Sequence, residues 1–529
     1  MTNRRLSVLA TILLLANSWN NSAWAAQSDV AADQSTVPQS KYHDLDDKAL
    51  YEMYVNESFT NSCEAKSLLS EMLKREVFSD GALLDYTENS INCAIQNGDM
   101  EEAYRNIVKW EGMEGAYELD AGWAFRVAYV AGARDDALGR LEKIAQFEEP
   151  DELLESTGRF IFQVIGDLHQ ENMKDAVTRL HNILIESPHF EILHPDVRSS
   201  TAAHILGERI KSGNRDAAGE FLAHITTPDF YTEMLSSREY EPIWNEIEQR
   251  VGPNMEIVIG EYLQIISAAY QSDPQNKKIR QDYAHALNFA GQFEDIITLA
   301  QSVDHSPEAI PNWGEDDGWL LNIEAYAHDA LGNTAAADRI FDSFVALDDP
   351  SNQKGWRVNF LINRASRFVR QTRWEEALAA AKIAGDVAAE AGNPYARMLV
   401  RLVNACALHN LGRVEESLAV IKEVEAHQED SLRVSLDALL CVGERERAAE
   451  MMVKGLADEK DGPILIETLQ NPQFDTFYTS TRIPTIYSEL RSHPKVTEAF
   501  ERVGRTIPDS YIPLAGQRLH QLAAERQAD

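Results

Sequence analysis

Paired carboxylates set between indole rings can serve glycoside chemistry, because sugars stack on tryptophan and the reaction needs two acids. The chain holds one such cluster at residues 311–319, with Trp313, Glu315, Asp316, Asp317 and Trp319 close together. The same residue types also suit a plainer task. A carboxylate in the first turn of a helix accepts orphan amide protons, and Asp120 with Trp123 opens another segment in the same way. That recurrence favours capping by Asp316 or Asp317 with Trp319 packed inside, over catalysis or an exposed partner contact. His189 and His194, with Asp196 near, come closest to a metal-ligand pair. No cysteine stands beside them and no i,i+4 helical spacing links them, so no metal is expected. Zincin, nucleophile-elbow, P-loop and Rossmann signatures are absent from the sequence. No catalytic residue and no cofactor is predicted, and the chain reads as non-enzymatic.

The elements that would carry any binding group are helices. Glycine followed five residues later by a small residue recurs: Gly98/Ala103, Gly132/Ala137, Gly213/Ala218, Gly332/Ala337 and Gly443/Ala448, with Gly412/Ser417 close to the pattern. Each glycine ends one apolar-periodic segment, and the small residue lies one turn into the next. Ala176 and Ala377 keep the second half of the pattern without the glycine, and the segment at Gly291 keeps it loosely. Leu399, Leu402, Val403, Cys406 and Leu411 share one stripe, followed by Val414, Leu418, Ile421 and Val424 on the next segment. Alternating strand patterns between turn signals are not evident. A period of about 30 to 42 residues in such units means a helix-hairpin array.

These units resemble tetratricopeptide repeats. Residues 325–350 match the second half of that pattern best, with Gly332 at the turn, Ala337 where helices cross, Phe341 and Phe344 on the buried face, and Pro350 at the end. Residues 171–188 repeat the ending with Ala176, Leu180, Ile183 and Pro188. The early tryptophan of the family's first helix is mostly missing, and many units are nearer 40 residues than 34. The resemblance spans roughly residues 80–460 and implies an all-α superhelical solenoid of degenerate hairpins. It also implies a groove lined by the first helix of each hairpin. Counting back from the turns, the positions are His285 and Asn288, then Asn322, Tyr326 and Asp329, then Ser366 and Arg370, then His409 and Asn410. Lysine is absent from this set, so the family's clamp for an acidic chain terminus is not expected.

The N-terminus reads as a bacterial export signal: Arg4 and Arg5, the apolar stretch Leu6 to Ala16, then Ala23-Trp24-Ala25 as a cleavage site. That stretch is too short to span a bilayer. The expected organisation is a signal at 1–25, a linker at 26–44, helical blocks at 45–252 and 253–463, a closing helical unit at 464–510, and a C-terminal helix or tail at 511–529. The two blocks end alike, in residues 236–252 and 479–504, each carrying Ser/Thr-Arg, a proline, an aromatic and a final Arg-Val-Gly. Export permits disulfides, and four cysteines allow three connectivities. Cys63 and Cys93 are 30 residues apart and Cys406 and Cys441 are 35, about one repeat each. Neighbouring helices can therefore join each pair. The alternative for Cys406 and Cys441 is two buried thiols on apolar helix faces.

Formal charge is −36, and removing Arg4 and Arg5 leaves 47 basic against 85 acidic side chains, or −38. That field opposes nucleic acid and anionic lipid, although acidity also serves simply to keep a long surface soluble. The expected function is a periplasmic or secreted scaffold that binds a protein or peptide on the concave face of the array, with no membrane span in the mature chain. Two alternatives stand beside it: an accessory to envelope or exopolysaccharide assembly, and an α/α-toroid enzyme acting on polysaccharide. In the second, the first and last hairpins would touch.

Overall fold

The computed structural model describes residues 41–528, apart from 43, 58–60, 77–80, 217, 348–354 and 476–488. The expected signal and most of the linker lie outside these residues. Among the described residues every regular element is helical, with a single isolated bridge between Ser237 and Gly504. In chain order the helices are α1 (Asp47–Glu57), α2 (Ser62–Lys74), α3 (Ala82–Gln96), α4 (Met100–Glu111), α5 (Ala121–Val130), α6 (Arg134–Ile144), α7 (Asp151–Ser156), α8 (Arg159–Gln170), α9 (Lys174–Ile185) and α10 (Pro195–Lys211). They continue as α11 (Ala218–His224), α12 (Asp229–Ser236), α13 (Trp244–Val251), α14 (Glu256–Ser272), α15 (Lys277–Phe289), α16 (Phe293–Ala300), α17 (Glu315–Ala330), α18 (Thr334–Ala346) and α19 (Arg357–Arg370). The remainder are α20 (Trp374–Ala391), α21 (Pro394–Asn410), α22 (Val414–Ala426), α23 (Leu432–Cys441), α24 (Arg445–Leu456), α25 (Gly462–Thr468), α26 (Pro494–Val503) and α27 (Leu514–Ala528).

The hairpins follow from one backbone device. A residue in left-handed conformation ends the first helix and lets the chain reverse. At Gly332, φ is 82°, its amide donates to Asp329 O at 3.0 Å, and that of Asn333 donates to His328 O at 2.7 Å. Gly98, Gly132, Gly213, Gly291, Gly412 and Gly443 turn the same way. Where the glycine is missing the conformation persists: Asn172 has φ 56° and Thr372 φ 57°. One turn further on, Ala103, Ala137, Ala337, Ala377 and Ala448 are fully buried where the paired helices cross. Ser417 fills that position in α22, buried, its hydroxyl donating to Ala405 O at 2.9 Å. The result is the expected array of degenerate hairpins, with neighbouring helices packed in pairs within each unit.

The chain divides into two compact units, one ending at Ile205 and the other beginning at Leu206, so the division falls within α10 and upstream of Gly252. The first unit is organised around a core that includes Phe125, Tyr129, Leu141, Val164, Leu180 and Leu184. In the second, one core runs through α15 to α21 around Phe341, Phe344 and Phe360. Another runs through α19 to α26 around Val403, Leu436 and Phe500.

Within the second unit the early helices meet the late ones. The amide of Arg505 donates to Ser236 O at 2.7 Å. The Arg505 guanidinium donates to Leu235 O at 2.6 Å and Glu248 Oε1 at 2.8 Å, and it stacks on Trp244 with 3.8 Å to the ring centre. Arg238 answers from the other side, donating to Glu501 O at 2.7 Å. Two segments that end alike in sequence thus pack against each other, although residues 479–488 of the later one lie outside the described residues. α27 lies across the turns of the hairpins at Gly291 and Gly332. There Ala515 and Leu522 enter the core, and Arg526 donates to Ala330 O at 2.7 Å, the carbonyl end of α17.

Candidate functional site

The first helices of successive hairpins, α15, α17, α19, α21 and α23, pack on one another in that order. They carry all nine residues expected to line the groove. His285 and Asn288 stand on α15, Asn322, Tyr326 and Asp329 on α17, Ser366 and Arg370 on α19, and His409 and Asn410 at the end of α21. Their exposure differs sharply. Asn288, Asn322, Tyr326 and Ser366 are buried; His285, Asp329, Arg370 and His409 are half-buried, and Asn410 is exposed. Burial follows from the stacking itself, because each first helix is covered by the next. Asn363 of α19 donates to Asn322 Oδ1 at 3.1 Å. Burial pushes the Tyr326 phenol well above its usual range.

α17 and α19 meet around a polar cavity of about 180 Å³, lined by Asp329, Thr334, Arg367, Arg370 and Gln371. Arg367, buried between the hairpins, organises it. Its guanidinium grips the Asp329 carboxylate with two bonds, one of them Nη2 to Oδ1 at 2.7 Å, and also binds Asp338 and Thr334 O at 3.2 Å. Arg373 holds Asp338 from the other side at 2.9 and 3.0 Å and Glu376 at 2.7 Å. Burial raises the Asp338 carboxyl, yet hydrogen bonds from Arg373 and Arg367 outweigh it and keep the group below its usual range. Asp329 is therefore already engaged inside the protein. The charges balance, three guanidinium groups against three carboxylates, and the cavity admits a few waters or one small side chain rather than a drug-sized ligand.

Arg367, Thr334, Gln371, Asn363 and Asp338 were not among the expected residues. One signal does point to Arg367: an acid and a base 38 residues apart, one repeat, at Asp329 and Arg367. Arg134 and Glu171, 37 apart, pair in the first unit in the same way at 2.6 Å.

The acidic–aromatic cluster resolves into capping. Asp317 Oδ2 accepts the Gly314 amide at 3.0 Å and the Lys277 ammonium at 2.6 Å, while buried Trp313 donates to Asp304 O at 3.0 Å. Trp319 packs half-buried on Phe360 with ring centres 4.9 Å apart. Asp120 accepts the Trp123 amide at 2.6 Å, as the parallel sequence suggests. His189 Nε2 bonds Phe147 O at 2.8 Å, and His194 lies 3.6 Å from Asp196. Among the described residues no three His, Cys, Asp or Glu side chains gather as metal ligands, and no helix is long and apolar enough to cross a membrane. Both short-range cysteine pairs are disulfides. Cys63–Cys93 joins α2 to α3 and Cys406–Cys441 joins α21 to α23, so the buried-thiol alternative for the second pair is set aside.

No family model matches the chain, and no curated protein matches it. Among solved structures, the chain is similar to the crystal structure of yeast Tom70, at 12% identity over 86% of this chain and 98% of that one, with a TM-score of 0.27. It is also similar to a circular tandem repeat protein with novel repeat topology and enhanced subunit contact surfaces. That match has 15% identity over 91% and 97% of the two chains, with a TM-score of 0.11. At such scores the architecture rests on this chain's own hairpins.

Proposed function

We propose that the chain is a non-enzymatic scaffold that binds a protein or peptide partner along its row of first helices and works outside the cytoplasm. One observation carries the binding reading. α15, α17, α19, α21 and α23 stack in sequence and leave polar groups of different kinds partly open along the row, His285, Arg370, His409 and Asn410. Such a row gives affinity through many modest contacts and specificity through the side chains displayed. The buried members, Asn288, Asn322, Tyr326 and Ser366, hold neighbouring hairpins in place in this reading. Two disulfides and the signal-like N-terminus support a location where thiols oxidise.

Photocrosslinking residues placed at Asn410 and His285, with Leu418 on the exposed side of α22 as control, test the surface in living cells. The same partner should be captured at Asn410 and His285 and not at Leu418. Capture through Leu418 alone would move the binding face to the second helices.

A further inference from the structure

The first unit contains a side-chain arrangement independent of the groove. Thr178 and His181 stand three residues apart on α9, and Thr201 and His204 repeat that spacing on α10. Each helix bonds the other reciprocally. His181 Nδ1 is 3.2 Å from Thr201 Oγ1, and His204 Nε2 is 3.4 Å from Thr178 Oγ1. The two imidazoles stack between the helices, ring centres 4.3 Å apart at an angle of 27°. His181 is buried and His204 half-buried.

A neutral imidazole offers one donor and one acceptor, which suits a hydroxyl partner on one nitrogen and an apolar neighbour elsewhere. A protonated ring offers two donors and a charge. Charge on both stacked rings would set like charges face to face in the interior. Among the described residues, the titratable groups that act on His181 are His204 of α10 and His169 at the end of α8, both imidazoles that disfavour its charge. From α6, Asp135 and Glu142 hold the half-exposed Arg179 of α9 at 2.6 and 3.2 Å.

We propose that the His181–His204 stack is an acid-sensitive joint between α9 and α10, closed while the buried His181 ring is neutral and opened by its uptake of a proton. Burial, with His204 and His169 acting the same way, pushes the His181 imidazole down to about 3, whereas an exposed histidine titrates near 6.5. The open form therefore binds a proton that the closed form refuses. Closure is fully favoured above about pH 6.5 and weakens steadily as the pH falls towards 3. α10 is the helix on which the chain passes from its first unit to its second, so the joint loosens a segment both units share in sequence.

Amide hydrogen exchange on the full chain at pH 7.5 and pH 5.5, corrected for the intrinsic pH effect on exchange, reads the opening directly. Residues 174–185 and 195–205 should open about tenfold more often at pH 5.5, the factor for one imidazole a pH unit below its free value. Residues 394–441 should not change. His181→Gln should remove the acid response. An equal response in His181→Gln, or none in the unaltered protein, would overturn the proposal. Should that variant fail to fold, the ring resonances of His181 in the unaltered protein decide: neutral at pH 5.5 while folded upholds the joint, and titration near 6.5 refutes it.

Discussion

Thr372 shows what a hairpin turn demands of one residue. Its φ of 57° lies where a side chain crowds the following carbonyl, and a β-branched one crowds it most. Thr372→Gly should raise the unfolding free energy by about 0.5–1 kcal/mol in urea titration, the relief of strain being partly offset by a freer unfolded chain. The converse change separates two kinds of glycine. At Gly443 (φ 80°) an added Cβ meets nothing, so alanine costs only the backbone strain of about 1–2 kcal/mol. At Gly291 the Cβ would lie 3.1 Å from Arg518 Cβ and 3.3 Å from Ala515 Cα, so alanine there should cost more and lift α27. Glu324 poses a different demand. Its carboxyl is buried on α17 between His305 at 3.7 Å and His328 at 3.6 Å, and burial pushes it up to about 7. The folded protein thus keeps that proton where the unfolded chain, near 4.5, has lost it. The stability this group contributes is complete below about pH 4.5 and is lost as pH rises through about 7. The difference in unfolding free energy between the unaltered protein and Glu324→Gln should fall by on the order of 3 kcal/mol between pH 4.5 and pH 8.

Helices were legible wherever one residue had a single physical reason to be there. Gly332 and Ala337 are such residues, one required by the reversed turn and the other by the close crossing of α17 and α18. The cysteines were legible for a related reason: a spacing of one repeat puts Cys406 and Cys441 on facing first helices. The groove was less so. Periodicity shows which side of a helix turns away from its own partner, and Asn322, Tyr326 and Ser366 do lie there, but it does not show that the next hairpin covers that side. Asp329 lies on that side too, but its partner Arg367 stands 38 residues away on the next hairpin, beyond the reach of any single-helix periodicity. The Cys406–Cys441 bond gives this element-level stacking a measurable value. It closes a 35-residue span between α21 and α23, so replacing both cysteines by alanine should lower stability by roughly 3–4 kcal/mol in the chain-entropy account. Guanidinium unfolding in a Cys63→Ser/Cys93→Ser background isolates that effect, and an unchanged midpoint would show that packing alone holds the two helices.

For the molecule as a whole, sequence spacing carries no hint that Arg505 and Ser236 touch; only the shared Arg-Val-Gly endings of their segments relate them. The contact makes the second unit a body whose first helices depend on its last. Arg505 concentrates that dependence, since its guanidinium bonds a carbonyl and a carboxylate while covering an indole face. Removing a charge so placed leaves Glu248 without its cation, at a cost of about 2–4 kcal/mol. Lysine would restore charge but not the planar fork or the stacking, so Arg505→Lys should recover less than half of the loss. Scanning calorimetry of the full chain reads both. With two compact units, Arg505→Ala should lower the transition of the unit that contains it by several degrees and leave the other in place. His181→Gln, compared at pH 5.5 and 7.5, should act only on the first. If either substitution moves all of the heat absorption together, the units unfold as one cooperative body, and the pH response of the α9–α10 joint would then be felt as far as Arg505.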